Sequence, residues 1–111
     1  MNPDGIQPGG IQTGLPRAET QTVSRTVTIC NQKGLHARAA ARFVKTAGQF
    51  TCDVTVRKNG TSVSGRSIMG LMMLSAAPGT TIKVSAIGPE ADAAIAAITQ
   101  LVEEKFHEEG T

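Results

Sequence analysis

The stretch Thr51-Cys52-Asp53-Val54-Thr55-Val56-Arg57-Lys58-Asn59-Gly60-Thr61-Ser62-Val63-Ser64-Gly65 decides the architecture. Val54 and Val56 alternate with polar neighbours, the period of a half-buried strand over residues 51–58. Asn59-Gly60 then marks a tight hairpin, because a type I′ turn needs positive φ at both central positions and these residues tolerate it. Residues 61–65 form the return strand, which is short, polar and ended by glycine, as suits a sheet edge. A hairpin in mid-chain makes the sheet mostly antiparallel.

Working outward, residues 23–30 alternate Val23, Arg25, Val27 and Ile29 with Ser24, Thr26, Thr28 and Cys30, another half-buried strand rich in β-branched residues. After the loop Asn31-Gln32-Lys33-Gly34, the residues Ala40, Phe43, Val44 and Ala47 fall on one face of a helix, and Gly48 caps its end. Downstream of the hairpin, Ser67 caps a short helix over 68–74, and Pro78-Gly79 closes that segment. Residues 81–87 form a fourth strand with Ile82, Val84 and Ala86 on one side. Gly88-Pro89 opens a last helix, with proline in its first turn and the stripe Ala91, Ala94, Ile95, Ile98, Leu101, Val102 and Phe106. The order β-α-β-β-α-β-α predicts an α+β fold: a four-stranded antiparallel sheet with three helices on one face and the other face solvated.

The 111 residues allow one small domain, and the 40% hydrophobic content is enough for one core. Residues 1–22 are rich in glycine and proline and lack any helix or strand period, so they are expected to be a disordered tail preceding a folded domain at 23–111. No apolar run is long enough for a membrane helix, and the N-terminus has no signal-peptide pattern, so the expected location is the cytoplasm. With three Phe and no Tyr or Trp, the base-stacking platform of a nucleic-acid module is missing. Cys30 and Cys52 form no CxxC pair, so neither a metal nor a redox site is implied, and no cofactor is expected. Charge is segregated. Residues 25–83 carry nine bases against Asp53 alone, a net +8, and residues 90–111 carry a net −5. One basic face for an acidic partner follows from this.

Two places could carry chemistry. His36 lies between a glycine-containing loop and a helix start, where unpaired amides and the helix dipole stabilise an anion. Arg38 adds a fork-shaped donor suited to phosphate oxygens. A neutral imidazole near pH 7 is a nucleophile, so these features fit a transient phosphohistidine. His107, among acidic residues near the chain end, has no such context and is expected to be merely exposed. The second place is Ile68-Met69-Gly70-Leu71-Met72-Met73-Leu74, where six of seven positions are large and apolar. A surface helix buries one face only, so part of this segment is expected to be an adaptable contact surface unless the helix is wholly buried in the core. Ser67 at its cap can accept a phosphate that the helix start favours.

Gly34-Leu35-His36-Ala37-Arg38 and Gly65-Arg66-Ser67-Ile68-Met69-Gly70-Leu71-Met72-Met73-Leu74 resemble the two signature segments of HPr, the histidine-containing phosphocarrier of the bacterial phosphoenolpyruvate-dependent phosphotransferase system. The resemblance runs from about Val23 to Phe106 and implies an open-faced β-sandwich. It implies that His36 is phosphorylated on Nδ1 by Enzyme I and that Arg38 steadies the phosphoryl group. It makes Ser67 the serine that an HPr kinase/phosphorylase phosphorylates, and Ala37, Ile68, Met69 and Met72 the docking patch. Acceptors would be enzyme IIA components, and the carrier would be a monomer without cofactor or membrane insertion. One departure is Ala39, where family members usually carry proline. A nitrogen-related paralogue serving a regulatory relay is the alternative within the family. A small nucleic-acid-binding domain is the remote alternative outside it.

Overall fold

The computed structural model describes residues 22–108. The expected tail at 1–22 therefore lies outside the described residues, except for Thr22, which is the first residue of a strand. The elements are β1 (Thr22–Thr28), α1 (Ala37–Ala47), β2 (Asp53–Lys58), β3 (Thr61–Ser64), α2 (Ile68–Met73), β4 (Thr81–Ile87) and α3 (Ala91–Glu103), followed by a 3-10 turn at Lys105–His107.

The four strands form one antiparallel sheet in the order β1-β4-β2-β3. The hairpin turn is as expected: Asn59 and Gly60 have φ of 51° and 85°, and β3 is an edge strand. Strand β4 fills the gap between β1 and β2, pairing Val84 with Arg25 on one side and Val56 on the other. Val54, Val56, Ile82, Val84 and Ala86 face the helices and are buried. The opposite face carries Ser24, Thr26, Thr55, Arg57, Ser62, Ser64, Lys83 and Ser85 in cross-strand rows, and Ser24 Oγ lies 3.0 Å from Ser85 Oγ. This is the open-faced α+β arrangement that the sequence predicts.

Three helices supply the other half of the core. Ala40, Phe43 and Ala47 of α1, Leu71 of α2 and Ile95, Ile98 and Val102 of α3 are buried. A fully buried Phe or Ile contributes about 1.5–3 kcal/mol relative to exposure, so these few side chains carry much of the stability.

Local expectations are corrected in four places. Arg25 shares the inward side of β1 with Val27 but is exposed, β1 being an edge strand. Cys30 and Cys52 lie just outside β1 and β2 rather than within strands. Gly48 does cap α1, as expected, in the ordinary right-handed region (φ −70°). Pro89 precedes the cap residue Glu90 and is not in the first turn of α3. The apolar stripe of α3 does continue to Phe106, but the helix stops at Glu103.

Candidate functional site

The loop before α1 is shaped by Gly34, at φ +66°. A Cβ there would lie 2.5 Å from Ala76 O, so only glycine lets the loop pass against residues 76–78. Leu35 N–H then donates to Ala76 O at 2.9 Å, and the Leu35 side chain is buried. With its neighbours pinned, His36 becomes the N-cap of α1 in an extended conformation. Ala40 N–H donates to His36 O at 2.8 Å, the first intrahelical bond. The amides of Ala37, Arg38 and Ala39 precede it and have no carbonyl one turn back, as at any helix start. Ala39 thus occupies a position where its N–H is not needed by the helix. Alanine in place of proline costs no helical bond there and leaves one more amide at the positive end of the dipole.

The His36 side chain is 29% exposed, reachable but not free to turn. Its Nε2 is held by Glu108 Oε2. The Glu108 side chain is only 7% exposed and is braced by Asn31, whose Nδ2 donates to Gly34 O at 2.7 Å and to Glu108 Oε2 at 3.1 Å. Asn31 itself is fully buried. Burial pushes the Glu108 pKa up, but the hydrogen bonds from His36 and Asn31 and the charges of His36 and Lys33 outweigh it. The carboxyl therefore lies below its ordinary value. His107 contrasts with this: its Nε2 meets Glu104 Oε1 at 2.6 Å in an exposed pair away from any helix start, as its lack of sequence context predicts.

Arg38 is exposed in the first turn of α1 beside His36, and no described residue accepts a hydrogen bond from its guanidinium. Ala37 is exposed next to it. Ser67 is the N-cap of α2, and its Oγ accepts Gly70 N–H at 2.9 Å. The neighbouring Arg66 turns away, donating to Cys52 O at 2.6 Å. On α2, Met69 and Met73 are 71% and 75% exposed, and Ile68 and Met72 are each 40% exposed. Leu71 alone of that segment's helical residues is buried. The apolar surface expected from the sequence is therefore present, and it includes Met73, which lies outside the docking patch that the resemblance implies. Asn31 and Glu108 were also missed. One reads as a loop residue and the other as one acid among several, and no spacing links positions 77 residues apart.

Among the described residues no cluster of His, Cys, Asp and Glu could hold a metal ion, and no helix is long and apolar enough to cross a membrane.

A family profile described as "PTS HPr component phosphorylation site" matches residues 23–104. The chain belongs to the HPr family. A Phosphocarrier protein HPr from Neisseria meningitidis serogroup A is 45% identical over 86 residues, spanning 78% of this chain and 97% of the relative. A Phosphocarrier protein NPr from Shewanella violacea is 43% identical over 86 residues, spanning 78% of this chain and 94% of the relative. The crystal structure of HPr-C-His from Thermoanaerobacter tengcongensis superposes with a TM-score of 0.75 at 44% identity, covering 78% of this chain and 98% of that one. HPr proteins are phosphocarriers of the bacterial phosphotransferase system. The fold and membership predicted from the two signature segments therefore hold.

Proposed function

We propose that the protein accepts a phosphoryl group from phospho-Enzyme I on His36 and passes it to enzyme IIA-type acceptors in the cytoplasm. The observation that carries this reading is the setting of His36: a part-exposed imidazole at the N-cap of α1, with one ring nitrogen already engaged by Glu108. A carrier needs a reachable nucleophile and a preorganised anion site, while its partners supply the rest of the chemistry. The Nδ1 lone pair forms the N–P bond as the donor's N–P bond breaks, the electron pair staying with the donor nitrogen. The amides at the start of α1 and the Arg38 guanidinium stabilise the phosphoryl oxygens. This stabilisation is modest, as suits a group that must leave again.

Ser67 is the proposed regulatory site, and Ala37, Ile68, Met69 and Met72 form the docking surface for partners. Phosphorylating Ser67 adds about −1.5 to −2 charge at the edge of the exposed Met69 and Ile68. The helix start tolerates that charge, so the cost falls on docking rather than on the fold.

Incubation with phosphoenolpyruvate, magnesium and Enzyme I should add the mass of one acid-labile phosphoryl group. His36→Ala should abolish the gain, and Arg38→Lys should slow it. Label retained in His36→Ala would overturn the assignment. Ser67→Asp should slow labelling with the melting temperature unchanged or raised. Labelling at the wild-type rate, both in that variant and in serine-phosphorylated protein, would leave Ser67 as a helix cap only. The NPr relative favours one second reading, a carrier feeding a purely regulatory relay. Transfer from the labelled protein to a regulatory IIA-type acceptor and not to a sugar-specific one would select it.

A further inference from the structure

The chain after α3 does something that the helix stripe does not require. Instead of running on, it turns back through three consecutive left-handed residues, Lys105, Phe106 and His107, with φ of 57°, 56° and 58°. None is glycine, so each adopts this conformation against its side chain. Phe106 is fully buried, and Arg42 of α1 donates to Phe106 O. The residue delivered by this strained turn is Glu108, placed against His36 Nε2 and braced from below by Asn31. Gly34 O can only accept, so the Asn31 group facing it is the amide NH2, which also donates to Glu108. That leaves the Glu108 carboxylate as acceptor toward His36.

We propose that Glu108 is a positioning residue for His36, holding the proton on Nε2 so that Nδ1 is the nucleophilic nitrogen. Which nitrogen of a neutral imidazole carries the proton is set by the hydrogen bond the other atoms offer, and a carboxylate can offer only acceptance. The inference rests on the carrier reading for its consequence. When Nδ1 forms its bond to phosphorus and the phosphohistidine donor keeps the electron pair of the bond it loses, the Nε2 proton stays in place. The positive charge that develops on the ring then lies against Glu108. Return transfer reverses the step without moving a proton through solvent. Arg42, Phe106 and Asn31 matter to the reaction only by holding Glu108 there.

The test uses phosphoramidate, a small phosphoryl donor that needs no partner protein, on full-length 15N-labelled wild type, Glu108→Gln and Glu108→Ala. The phosphorylated nitrogen is read by NMR, and the fold is checked by the amide spectrum. Wild type should be labelled on Nδ1 alone. Glu108→Ala should divide the label between both nitrogens and lose about tenfold in the Nδ1 rate, the low end of the effect of removing the orienting partner of a metal-bound histidine. Glu108→Gln, which keeps an accepting oxygen, should restore Nδ1 selectivity. Wild-type rate and selectivity in Glu108→Ala would overturn the proposal. Should that variant unfold, the wild-type ring decides: an Nε2–H signal protected from exchange supports the proposal, and an Nδ1–H tautomer overturns it. Enzyme I is absent from these assays, so failure of the carrier reading and failure of this one are separate results.

Discussion

Replacing Gly34 by alanine tests whether the loop in front of His36 is built as described. Two costs are separable. The first is conformational: Gly34 sits at φ +66°, and an L-residue with a side chain pays about 1–2 kcal/mol in that region. The second is steric: the new Cβ would lie 2.5 Å from Ala76 O and 3.1 Å from Ala77 Cα, both backbone atoms that cannot rotate away. Relief must come from moving the 76–78 segment off the loop, which breaks the 2.9 Å bond from Leu35 N–H to Ala76 O. A buried hydrogen bond contributes about 1 kcal/mol net, so the expected total is about 2–3 kcal/mol. Gly60→Ala supplies the control. Gly60 is also left-handed, at φ +85°, but its Cβ would meet nothing within 4 Å. The entropy that alanine removes from the unfolded chain is similar in both variants and cancels in the comparison. Urea unfolding at constant m-value should therefore show Gly34→Ala at least about 1 kcal/mol worse than Gly60→Ala, and the Gly34 variant should be phosphorylated more slowly on His36. Equal destabilisation of the two variants would refute the close approach at Ala76.

Four further outcomes are expected. Lys58→Met removes the Nζ donations to Leu74 O (2.9 Å) and Ser75 O (3.2 Å) that tie β2 to the end of α2, and should lower urea stability by about 1–2 kcal/mol; an unchanged midpoint would contradict it. Phe106→Ala empties a fully buried site and should cost about 3–5 kcal/mol while releasing Glu108 from His36; a loss below about 1 kcal/mol would mean the turn is not anchored there. The Glu108 carboxyl has a depressed folded pKa, so its stabilising contact is complete above the unfolded value of about 4.3 and is lost as pH falls through the lower folded value. The Asn31 side-chain amide signal should report that transition, and a Glu108 titration at or above the unfolded value would oppose it. Burial raises the Cys52 thiol pKa; Arg66 opposes this and Asp53 and Glu90 add to it. Iodoacetamide near neutral pH should therefore modify exposed Cys30 at least about tenfold faster than Cys52, and equal rates would contradict the burial.

What the sequence determined by itself is local or periodic. Val54, Val56, Ile82, Val84 and Ala86 declare their buried side through a period of two, and Phe43 and Ile98 through a period of 3.6. Asn59-Gly60 dictates its own turn, and Ser67 its own cap, because each satisfies its backbone within four residues. His36 was legible for the same reason: a loop glycine, a histidine and a helix start are consecutive in the chain. Only the tertiary structure decided what depends on partners distant in sequence. The insertion of β4 between β1 and β2 is one case, and it leaves β1 at the edge with Arg25 exposed on an otherwise inward side. The end of the last helix is another: the apolar stripe continues to Phe106, but burial of that ring and the bond from Arg42 are satisfied by a left-handed turn instead. The placement of Glu108 against His36 follows from that turn. A pattern of residue types carries no record of a contact made only when a strained chain end is folded back onto a loop 77 residues away.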